Sequence, residues 1–65
     1  MDDERLAARL DGLRMEHRDL DAAIVALGDS GTPDQLQMAR LKKRKLRIRD
    51  EIAAVEDQMI PDIIA

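Results

Sequence analysis

Residues 28–35 read GDSGTPDQ, and this stretch decides the fold. Gly28 directly follows a regular apolar pattern and suits a left-handed helix terminus, Thr32 is a good N-cap, Pro33 fits the first helical position, and Gln35 completes a capping box. One helix stops and another starts within about five residues, a connection so short that the two must lie antiparallel as neighbours. The sequence therefore predicts a single all-α domain over 1–65, a helical hairpin with helix 1 over about 3–27, a turn at 28–32, helix 2 over about 33–60 and a tail at 61–65.

Outward from the turn, each arm carries an apolar stripe in alternating steps of three and four, the a/d seam of a heptad. In the first arm it runs Leu6, Leu10, Leu13, His17, Leu20, Ile24, Leu27; in the second, Met38, Leu41, Lys45, Ile48, Ile52, Val55, Met59. Only His17 and Lys45 break the apolar character. Pro61 ends the second arm.

The charges flanking the two seams test the pairing. A hairpin pivoting on this turn brings together residues whose numbers add to about 60–63, which sets Asp21 opposite Lys42, Glu16 opposite Arg44 and Arg9 opposite Glu51, all attractive. Arg14 with Arg49 is the one repulsive pair. Exposed pairs of this kind contribute a few tenths of a kcal/mol each and choose register more than they supply stability. The same register sets His17 opposite Lys45, so that the two polar interruptions are expected to share one layer. A polar residue in a seam commonly fixes register and oligomeric state. Acting as a pH sensor, or as a metal ligand with Glu16 and Asp21, is the lesser reading for His17. Lys45 is expected to pass its stem across the seam and send its ammonium to Glu16 or Asp21.

A chain of 65 residues buries little apolar surface as a monomer and needs a staple. It has no Cys and one His, which removes disulfides and thiolate zinc sites, so oligomerisation remains. The absence of aromatic residues and a charged fraction of 38% favour long helices packed as a coiled coil. A second apolar set supports this: Ala39, Leu46, Ala53 and Ile60 recur every seven residues off the main seam, as do Ala8, Met15 and Ala22 in the first arm. Two helices cannot bury both sets. Met15, Ala39, Leu46, Ala53 and Ile60 are therefore the expected interface of a homo-oligomer, a dimer or tetramer forming a helical bundle.

The other candidate surface is basic. Seven of the ten residues at 40–49, RLKKRKLRIR, are cationic, and Arg40, Lys43, Arg44 and Arg47 share the outward helix face. A solvated face is the plainest reading, docking of an acidic partner protein the next. Nucleic acid is disfavoured by the net charge of −3 and the lack of stacking aromatics, although such a stripe can neutralise phosphates. No nucleophile–base pair, metal constellation or phosphate-cradling glycine loop can be assembled, so neither an enzyme nor a cofactor is expected. Ser30 and Thr32 read as turn and cap residues. The acidic start MDDERLAARL has no signal-like apolar run and no segment is long enough to span a membrane, which suggests a cytoplasmic protein.

The segments EHRDLDAAI at 16–24 and LKKRKLRIRDEI at 41–52, with the spacing between them, resemble the YdcH family, small bacterial proteins classed as a domain of unknown function. The resemblance covers almost the whole chain. Arg47 and Arg49 stand where relatives often carry Leu and Lys, a departure that keeps the charge. What the resemblance implies is a coiled-coil hairpin; it brings no activity, cofactor or catalytic residue. The function expected from the residues is that of a small self-associating binding or scaffolding module, with a nucleic-acid-associated regulator using the basic stripe as the alternative.

Overall fold

A computed structural model of the chain describes residues 2–59. Helix α1 spans Asp2–Gly28 and helix α2 spans Gln35–Met59, and the two pack along their length as a hairpin. The molecule measures 50 × 23 × 14 Å. An α-helix with its side chains is about 10–12 Å across, so the hairpin is two helices wide and one helix thick. Helix propensity alone holds arms of this length only marginally in water, and the seam between them supplies the rest. Ile60 and the tail at 61–65 lie outside the described residues.

The turn is built differently from the sequence expectation at both of its ends. Gly28 is the last residue of α1, and among the described residues no glycine has a positive φ. The left-handed terminus is thus replaced by Ser30, whose hydroxyl donates to the Leu27 carbonyl at 2.8 Å while its backbone N–H reaches the same oxygen at 3.2 Å. Asp29 N–H continues the helical pattern to the Val25 carbonyl at 3.0 Å. At the start of α2 the cap is Asp34, not Thr32: its Oδ1 accepts from the backbone N–H groups of Leu36 at 3.0 Å and Gln37 at 3.1 Å. An ionised carboxylate satisfies two of the free N–H groups and complements the positive helix end, where a threonine hydroxyl would offer no charge. Pro33 accordingly precedes the cap and Gln35 becomes the first helical residue, two positions later than the sequence suggested.

The cross-helix contacts fix the register. A methyl group placed on Gly28 would lie 3.6 Å from Met38 Cε, Lys45 bonds to Asp21, and the pairs Arg9–Glu51 and Arg14–Glu56 straddle the centre from either side. All are consistent with residues standing level when their numbers add to about 65. At that value every seam residue has a seam partner: Leu10 with Val55, Leu13 with Ile52, His17 with Ile48, Leu20 with Lys45. The expected His17–Lys45 layer is therefore corrected to two adjacent layers, each joining one polar residue to one aliphatic. The flanking pairs misled because Arg9–Glu51 and Glu16–Arg44 sit to one side of a layer and add to less than the seam, whereas Arg14–Glu56 on the other side adds to more. Leu10, Leu20, Ile48 and Val55 form the buried core among the described residues, at 8, 8, 5 and 3% exposed. Two of these four face the polar interruptions, which thins the core at mid-hairpin.

Candidate functional site

The two sides of the seam are closed by different logic. Arg9, Glu16, Arg44 and Glu51 each precede a seam residue and so share one side. Arg9 Nη2 lies 3.6 Å from Glu51 Oε1, and Arg44 Nη2 donates to Glu16 Oε2 at 2.5 Å, both as the sequence placed them. Arg14, Asp21, Lys42, Arg49 and Glu56 each follow a seam residue and share the opposite side. There Arg14 Nη2 turns away from Arg49 and donates to Glu56 Oε2 at 2.7 Å. Asp21 takes its bond from Lys45, not from Lys42. Lys45 thus sends its ammonium out of the seam by one of the two exits its long stem allows.

That bond sets the electrostatics of the site. The Lys45 ammonium, donating to Asp21, holds the Asp21 carboxyl below its ordinary value of 3.8; desolvation opposes this, and the charges of Lys45 and His17 assist. Glu16 and Asp21, the co-ligands in the lesser, metal reading of His17, take their partners on opposite sides of the seam. Among the described residues no three His, Cys, Asp or Glu side chains converge on a point where a metal could sit.

The four residues of the basic stripe are brought together: Arg40, Lys43, Arg44 and Arg47 line one shallow depression on the outer surface of α2. Glu16 reaches into this group through Arg44, so one of its four cations is already neutralised.

The second apolar set is exposed where it is described. Met15 is 62% and Leu46 56% accessible, and Ala39 and Ala53 are exposed beside Leu46 on α2. Ile60 lies outside the described residues. Val25 and Leu36, both 62% accessible, are further exposed aliphatics outside the expected interface. Neither belongs to a seven-residue repeat, and the only available signal was a large aliphatic at a position off the seam. Also present is a shallow hollow lined by Ile24 and Leu46 together with Lys42, Lys45 and Arg49. The spacing of Lys42, Lys45 and Arg49, at i, i+3 and i+7 around Leu46, was the signal for it.

Among the described residues no helix is long and apolar enough to cross a membrane. A family model described as "Protein of unknown function (DUF465)" matches residues 10–56, most of the chain and both of its helices. YdcH-like proteins belong to that family, so the resemblance carried by 16–24 and 41–52 is borne out. No curated protein and no solved structure matches the chain.

Proposed function

The chain belongs to the DUF465 family of proteins of unknown function, and from that premise we propose that it is a non-enzymatic interaction module that self-associates through its outer apolar residues. One observation carries the reading. Four aliphatic side chains are buried among the described residues, while four others of similar size, Met15, Val25, Leu36 and Leu46, stand more than half exposed. A two-helix layer has no second face with which to cover them, and burying what each still exposes gains about 1–2 kcal/mol. A helical bundle of two or more hairpins is the natural assembly. Light scattering and thermal melts over a hundredfold range of concentration test this: the expected result is a mass above the monomer and a melting temperature that rises with concentration. A fully helical monomer at every concentration overturns it.

A second reading is favoured by the depression that gathers Arg40, Lys43, Arg44 and Arg47, namely association with a nucleic-acid backbone. Against it stand the net charge of −3 and the neutralisation of Arg44 by Glu16. Replacing the four with Gln separates the cases. Salt-sensitive retention of DNA or RNA that disappears in this variant would promote the nucleic-acid reading. Loss of an acidic protein partner would instead extend the interaction-module reading to that surface.

A further inference from the structure

The hollow lined by Ile24 and Leu46 has a matching projection elsewhere on the same chain. Met15 stands on the outward face of α1, 62% accessible, with Asp11 one turn before it and Asp19 one turn after, both exposed. Among the described residues neither aspartate makes an ion pair. The hollow has the opposite pattern, with aliphatic Ile24 and Leu46 lining it together with the cations Lys42, Lys45 and Arg49. Lys45 is held by Asp21, and Lys42 and Arg49 make no ion pair among the described residues. Asp11 and Asp19 are eight residues apart and Lys42 and Arg49 seven, about 12 and 10.5 Å along their helices at 1.5 Å per residue. The mismatch is well within the reach of the side chains.

We propose that Met15 of one hairpin enters the Ile24–Leu46 hollow of a second copy, with Asp11 and Asp19 meeting Lys42 and Arg49. This rests on the self-association reading and specifies how it happens. A symmetric contact of hollow against hollow would bring Lys42 and Arg49 of both copies together, and one of Met15 against Met15 would set four aspartates against only two Arg18 side chains. Like charges so placed oppose association, whereas projection into hollow satisfies both sets. Met15 cannot fill the hollow of its own chain, because it faces away from the partner helix. Each copy therefore offers one projection and one hollow, a head-to-tail contact that closes into a ring or continues into a chain of hairpins.

Two exposed-site variants test the assignment, Met15→Lys, which loses the projection, and Leu46→Glu, which spoils the hollow. Each alone should weaken self-association at least tenfold. Mixed in equal amounts they should form a one-to-one heterodimer, since the Leu46→Glu chain still carries Met15 and the Met15→Lys chain still carries the hollow. If dissociation costs the single variants their helicity, recovery of the circular dichroism signal on mixing is the same readout. A charge-reversed chain, Asp11→Lys and Asp19→Lys with Lys42→Glu and Arg49→Glu, should regain the association that either reversed pair loses alone. A wild type that self-associates while the mixture stays monomeric overturns the proposed contact and leaves the self-association reading standing. A wild type that is monomeric throughout overturns both.

Discussion

The two sides of the hairpin seam carry similar numbers of charges and end up with different surfaces. On the side of Arg9, Glu16, Arg44 and Glu51, each carboxylate finds the arginine that the heptad sets beside it. On the other side, Asp21 is taken by Lys45 from within the seam and Arg14 escapes Arg49 by reaching to Glu56, so that Lys42 and Arg49 are left lining the hollow around Leu46. A charged residue placed in a seam does more than weaken one layer. It must leave by one side, and the carboxylate it takes there is withdrawn from the cation that would otherwise have used it. The side Lys45 avoids is closed and self-satisfied, and the side it chooses retains Lys42 and Arg49 without a carboxylate partner among the described residues.

The largest effect should come from removing what both sides share. Ile48 is 5% exposed and stands level with His17, a polar neighbour poorly suited to fill the apolar space it would leave. Ile48→Ala should cost about 2–5 kcal/mol, the usual range for such a truncation in a core. In so thin a hairpin that should appear as loss of most helicity at room temperature by circular dichroism. A cost under about 1 kcal/mol would mean that the seam is not the core and that neither side is organised by it.

A change at Lys45 should convert the open side into a copy of the closed one. Lys45→Leu adds an aliphatic residue level with the buried Leu20, and should raise stability by about 1 kcal/mol once the loss of an exposed ion pair is set against the gain in burial. Asp21 should then turn to Lys42, the partner the heptad assigns it. Titration separates the two states. Because the folded Asp21 carboxyl is held below 3.8, its contribution to stability is present above that value and is lost as pH falls through the lower folded value. With Lys42→Gln added, so that no second lysine takes its place, the Asp21 titration followed by NMR should move back towards 3.8, and melting at fixed protein concentration should become less sensitive to acid below about pH 4. An Asp21 titration unchanged by the two substitutions would show that Lys45 is not what depresses it.

The same comparison shows which features were legible in the sequence. Both seams, the antiparallel return and the two ion pairs of the closed side follow from spacing alone, because a heptad fixes which residues flank the seam regardless of what the seam contains. The open side was not legible, since the exit taken by the Lys45 stem depends on where Asp21 stands in three dimensions. The cap was missed for a related reason: Thr32 and Asp34 are both good capping residues two positions apart, and only the carboxylate's reach to Leu36 and Gln37 distinguishes them. The exposure of Met15 and Leu46 was readable as a second stripe and the cations around Leu46 as a spacing, whereas the lack of a carboxylate for Lys42 became visible only once Asp21 was known to be occupied.

The smallest effect compares the ion pairs themselves. Glu16 with Arg44 and Arg14 with Glu56 have closely similar geometry, at 2.5 and 2.7 Å, and similar exposure, with arginines 62 and 60% accessible. If the difference between the sides lies in which partners are chosen and not in how strongly they hold, double-mutant cycles to Gln should give couplings of about 0.2–1 kcal/mol for both pairs, equal within error and reduced by added salt. Those cycles belong at low concentration in the Met15→Lys background, where association at Met15 does not contribute. A coupling well above 1 kcal/mol for Arg14 with Glu56 alone would place the strength on the open side. Lys42 and Arg49 would then be free because Arg14 is anchored elsewhere, and the hollow would owe its cations to that anchor more than to Lys45.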